Sequence, residues 1–217
     1  MVVRLYILLF LLVASTCSHA QRFIRLQLRH TWGNIPIEAT NTPVNKAQFY
    51  IHNFSISQLG KTLLYFPQPQ LFNALSDSPF ATTFLITDTA EIDIAFTIGL
   101  PDSVLQNGIG EGVLDPLNGM FWTWQTGYVF VKCEASVHQQ KYSYHIGGMA
   151  PSPDARRTFT AQLKLPAGAQ NIQWVVNWEQ LFTPSQNNPI PVTCHAPGPL
   201  AMLLADRFLQ AHSFVIL

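Results

Sequence analysis

The sequence predicts an all-β protein: an antiparallel β-sandwich-like single domain with long loops and a short C-terminal helix. Three observations carry this. Apolar and polar residues alternate with period two in several segments. Short runs of this kind recur along the chain, separated by proline- and asparagine-rich connections. Only one stretch, close to the end, has helical spacing.

In chain order, Ile24, Leu26, Leu28, His30 and Trp32 share one face of an extended segment, and Arg25, Gln27, Arg29 and Thr31 share the other. Phe49 to Ile56 forms a second strand and Leu63 to Phe66 a weaker one. Glu91 to Ile98 alternates cleanly, and Tyr128 to Lys132 is an apolar strand. Lys141 to Ile146 and Thr158 to Leu165 follow, and Gln173 to Glu179 sets Trp174, Val176 and Trp178 on one face. The connections are marked by Asn41-Thr42-Pro43, Pro67 to Pro69, Pro151 to Pro153 and Asn187 to Pro191. After Pro197-Gly198-Pro199, the spacing of Leu200, Leu203, Leu204 and Phe208 predicts a helix over 199–212.

The first twenty residues stand apart. Arg4, the apolar run Leu5 to Val13 and the small residues around Ser18-His19-Ala20 form a secretory signal peptide, with cleavage expected after Ala20. The run is too short for a membrane span. A lipid attached at Cys17 is the rival reading, with Thr16 an unusual residue before it. The mature domain, 21–217, keeps 11 of the 12 Lys+Arg (all but Arg4) and all 12 Asp+Glu, a net charge of −1. That balance argues against a nucleic-acid partner. Charged residues are 11% of the chain and mean hydropathy is +0.16, so much of the chain must be buried or face a partner. Export also exposes Cys133 and Cys194 to oxidation, and one long-range disulfide is expected. A pair of soft metal ligands is the alternative.

The most unusual segment is Gly110 to Tyr128, with glycines at 110, 112, 119 and 127 around Trp122-Thr123-Trp124. Glycine beside bulky aromatics signals tight turns or close backbone approach. Tyr144-His145-Ile146-Gly147-Gly148 has the same character. His30 continues an inward face, so its imidazole needs a partner, either a hydrogen bond in the core or a metal. His145 precedes two glycines, and His195 lies in a loop before the helix. His52, His138 and His212 read as surface residues. No short ligand motif links these histidines, although copper and zinc sites are often assembled from distant strands. Trp32, Trp122 and Trp124 are candidate redox-active residues, and the plain alternative is core packing. Gly-x-Ser-x-Gly is absent, and no general base stands near the histidines, so no catalytic residue is assigned. Glu91/Asp93 reads as a solvated pair and Glu111/Asp115 as a turn.

Five blocks resemble the MbnP-like family, periplasmic copper proteins first associated with methanobactin gene clusters. They are Leu28 to Ile37, Tyr50-Ile51-His52-Asn53, Phe96-Thr97-Ile98-Gly99-Leu100-Pro101, Leu114 to Tyr128 and Tyr144 to Gly148, in family order over nearly all of 21–217. The resemblance implies a secreted or periplasmic β domain, not an enzyme, that binds one copper ion, Cu(I) or Cu(II), through His30, His145 and His195. It also implies a partner, a di-haem cytochrome c peroxidase/MauG-like protein that oxidises a tryptophan to kynurenine. Trp32, Trp122 and Trp124 are the candidates here. The rival function is a metal-free module that docks a redox partner through its tryptophan-rich block.

Overall fold

A computed structural model describes residues 21–37, 42–76, 80–87, 91–123, 127–148, 151–184 and 190–217. Residues 1–20, which carry the signal-peptide expectation, and Trp124 lie outside them. The strands are β1 (Arg22–Trp32), β2 (Ile35–Pro36), β3 (Val44–Gln58), β4 (Lys61–Phe66), β5 (Gln70–Asn73), β6 (Ala81–Ile86) and β7 (Glu91–Ile98). After helix α1 (Asp102–Asn107) come β8 (Phe121–Thr123), β9 (Gly127–Val137), β10 (Gln140–Gly147), β11 (Arg157–Lys164), β12 (Asn171–Asn177) and β13 (Thr193–Cys194). Helix α2 (Pro199–Leu209) and β14 (His212–Ile216) close the chain.

These strands build two sheets, as the all-β sandwich expectation requires. One has five strands, ordered β14-β12-β1-β2 with β6 also on β1. The other has nine and runs β11-β7-β3-β9-β10-β13, with β4 and β5 on β3 and β8 on β9. The sheets are mixed, a departure from the purely antiparallel expectation: β1–β12 and β10–β13 are parallel pairs. Period-two alternation places side chains on faces but does not set strand direction. A long connection between β1 and β12 permits either.

The core between the sheets is aromatic. Trp174 stacks near Phe54 (5.8 Å between ring centres) and packs against Phe96 (4.7 Å) and Phe72 (5.7 Å). The inward face predicted for β1 holds from Ile24 through Leu26 and Leu28 to His30, all buried; at the strand's end it departs, with Thr31, expected outward, buried and Trp32 only half-buried. In β3 the positive φ of Asn53 (52°) and a register shift between His52 and Ser55 mark a bulge. It lets Phe49 and Ile51 before it and Phe54 and Ile56 after it all reach the core, because one extra residue restores the inward phase. The outer face of the larger sheet is covered as well. Tyr50 Oη donates to Val113 O (2.6 Å), and Tyr128 Oη donates to Leu114 O (2.8 Å) while accepting from Gly110 N–H (2.9 Å). The glycine-rich block is therefore a cover over this face. Asp115 caps a turn there by accepting from Leu117 N–H (2.8 Å), as the turn reading of Glu111/Asp115 expects.

The expected disulfide is not formed: Cys133 and Cys194 are both free and buried. Tyr144 pairs in register with Cys133 on one side and Cys194 on the other, so the thiols flank it. They are two strand spacings apart, about 9.5 Å. A disulfide tolerates Cα separations up to about 7 Å. Both thiols should therefore react in denaturant without prior reduction, and dithiothreitol should leave the melting temperature unchanged. Loss of a disulfide worth about 2–4 kcal/mol would lower it by several degrees.

Candidate functional site

The strand register places one histidine cluster on the outer face of the larger sheet. In the β9–β10 pair His145 lies opposite Lys132 and Ser143 opposite Glu134. Tyr144 and Ile146 point into the core, so Ser143 and His145 point out. The parallel strand β13 sets Cys194 beside Tyr144, which brings the next residue, His195, alongside His145. Their ring centres are 4.5 Å apart with planes at 30°. His145 Nε2 lies 3.3 Å from Glu134 Oε1, and His195 Nε2 lies 2.7 Å from Ser143 Oγ. Glu134 is also within 3.7 Å of Lys46 Nζ and 4.0 Å of Lys132 Nζ. Lys132 is itself tied to Gly119 O (2.9 Å) on the covering segment.

A carboxylate only accepts, so the Glu134 contact fixes the proton of neutral His145 on Nε2 and leaves the Nδ1 lone pair free. The serine hydroxyl can accept from His195 in the same way. Burial lowers the His145 pKa, and the nearby Lys132 and His195 push it the same way against Glu134. His145 is therefore neutral at pH 7, the state a metal requires.

His30 is not part of this cluster. It faces the inter-sheet core from β1, and Trp178 Nε1–H donates to its Nδ1 (3.3 Å). An indole N–H only donates, so in this arrangement neutral His30 carries its proton on Nε2. Of the two readings given by the sequence, the structure shows the hydrogen-bonded core histidine. Sequence reasoning missed its counterpart, His212. This residue was expected on the surface but is buried in β14, where Trp174 Nε1–H donates to its Nδ1 (3.0 Å). His30 and His212 lie on one row across Val176. Burial lowers their pKa values to about 4 and about 3. His52, also expected on the surface, is buried with Nδ1 at 3.0 Å from Gly99 O; His138 is exposed as expected.

Trp122 packs directly over Gly147: a Cβ built there would lie 3.0 Å from the Trp122 ring and 2.6 Å from Tyr128 O. The close approach expected of the glycines beside His145 is thus present. The Trp122 indole N–H is buried with no hydrogen-bond partner among the described residues. Trp32 packs on Phe182 (5.0 Å), away from the histidine pair. Among the described residues no three His, Cys, Asp or Glu side chains gather tightly enough to enclose an ion. The outer cluster offers two imidazoles and an orienting carboxylate. No helix among the described residues is long and apolar enough to cross a membrane.

No curated protein matches the chain. A solved structure, MbnP from Methylosinus trichosporium, is similar in fold, with a TM-score of 0.53 at 13% identity over 91% of this chain and 99% of that one. The MbnP family model matches residues 21–196, most of the chain, and the chain therefore belongs to the MbnP family.

Proposed function

We propose that this protein is a periplasmic copper-binding member of its family, a carrier or store rather than an enzyme, and that His145 and His195 hold the ion. The observation that carries this is the outer imidazole pair, 4.5 Å apart at its ring centres, with one ring held by Glu134. A ligand histidine whose second nitrogen binds a carboxylate is the usual arrangement at metal sites. Two neutral imidazoles suit Cu(I), whereas Cu(II) would draw further oxygen ligands such as water. The di-haem MauG-like partner belongs to the same reading. Trp122, packed on Gly147 two residues from His145, is the described tryptophan best placed for oxidation.

The test is a copper titration of the protein purified from its host, read by competition with a chromogenic chelator alongside intact mass. We expect one copper per chain. His145→Ala and His195→Ala should each weaken binding by at least about a hundredfold, and Glu134→Gln by about 10–100-fold. His30→Gln should leave affinity unchanged. A parent protein that takes up no copper would leave the metal-free docking module as the better reading. A mass gain on the Trp122 peptide would support the oxidising partner.

A further inference from the structure

The hairpin between β3 and β4 contains a costly choice. Gln58 pairs with Lys61 across a two-residue loop in which both central residues have positive φ, Leu59 at 52° and Gly60 at 74°. Such loops favour Asn-Gly, because asparagine tolerates the left-handed region and a bulky side chain does not. Leu59 gains no packing in return, being 80% exposed. Strain and an exposed leucine at one position point to a role outside the fold.

The surroundings suggest what that role is. Leu59 lines a groove of about 230 Å³ with Gln21, Lys61, Leu63 and Leu85. Leu85 lies opposite Phe23 in the β1–β6 pair, and Phe23 is 69% exposed. Arg25 follows on the same outer face and has no ion-pair partner among the described residues. The five strands of this sheet contain three arginines and no aspartate or glutamate. Asp93 and Glu91, opposite Ser57 and Lys164, belong to the other sheet.

We propose that this corner, with Leu59, Leu85 and Phe23 as apolar contacts and Lys61 and Arg25 as cationic ones, is a docking site for an anionic phospholipid surface. Exposed apolar side chains flanked by cations are what an interfacial site requires, and each cation adds attraction to anionic headgroups. The hairpin tip and the neighbouring outer face of the β1–β6 pair would meet the headgroup layer together.

The experiment is co-sedimentation of the mature protein with phosphatidylcholine vesicles, with and without phosphatidylglycerol, together with thermal melts. The parent should sediment with the phosphatidylglycerol vesicles and be released by salt. Leu59→Asn should bind about tenfold more weakly and yet melt at a higher temperature, because asparagine relieves the turn. That opposition separates a docking role from damage to the fold. Phe23→Ser should also weaken binding. The proposal is overturned if the parent stays in the supernatant, if phosphatidylcholine alone binds it equally well, or if Leu59→Asn binds like the parent. Retention on poly-glutamate beads without retention on vesicles would also overturn it, in favour of an acidic protein partner.

Discussion

Lowering the pH from 7 to 5 should cost the folded protein about 4 kcal/mol. The cause is the core pair His30 and His212. Burial lowers their folded-state pKa values to about 4 and about 3, and for His212 the nearby His30 adds to the effect. In the unfolded chain both return to about 6.5. A group whose folded value is depressed binds fewer protons when folded. Its stabilising contribution is complete above about 6.5 and drains away as the pH falls toward the folded value. At pH 5 each site has lost about 1.36 × 1.5, or about 2 kcal/mol. Against a total stability of about 5–15 kcal/mol this is a large fraction. Urea denaturation at pH 7 and pH 5 measures it. The double variant His30→Gln, His212→Gln can still accept both indole N–H groups but cannot titrate, so its stability should change far less. Equal stability of the parent at both pH values would show that these imidazoles are not buried neutral. An unchanged pH slope in the double variant would assign the loss to other groups.

That core pair also shows where the sequence was legible. His30 was readable as inward because it continues the alternation of Ile24, Leu26 and Leu28 on an uninterrupted strand. His212 was not, because the residues from Leu209 to Ser213 contain neither glycine nor proline. The helical pattern therefore ran on through Gln210 and Ala211, where the structure turns into β14. Strands with clean alternation, such as Glu91–Ile98, were placed to the residue. Short ones such as β2, β5, β8 and β13 carry too few residues to show a period. His52 was misread for a different reason. It lies on the outer face of its sheet, and no local pattern reveals that the segment after β7 covers that face.

The outer site was half legible. His145 and His195 were singled out by their neighbouring glycines and loop, but their meeting depends on the parallel β10–β13 pair, a contact between residues 50 positions apart in sequence. Glu134 was missed because it is one residue in an apolar strand. It matters only because cross-strand register puts it diagonally next to His145. Strand direction and register are tertiary facts, and the free cysteines follow from the same register.

Gly147→Ala should destabilise the protein by about 3 kcal/mol, toward the upper end of the cost of overpacking, and should disturb the histidine pair with it. The added Cβ would lie 2.6 Å from Tyr128 O and 3.0 Å from the Trp122 ring. The first contact is with backbone in β9, so it cannot be relieved by a rotamer change. Either β10 moves away from β9 at the register shift next to Ile146, or Trp122 is displaced. Both outcomes act on His145, whose position beside Glu134 depends on that strand pair. Gly168→Ala is the control, because Gly168 has a positive φ of 84° but open space around it. Its cost is conformational only, about 1 kcal/mol. Comparing the two variants by urea denaturation separates steric crowding from backbone strain. Equal costs would mean that Trp122 and β9 yield easily, and that the Gly-Gly pair is a turn device with no part in seating His145. A larger cost for Gly147→Ala, with Trp122 fluorescence shifted to the red and weaker copper uptake, would tie the tryptophan block and the histidine pair into one packed unit.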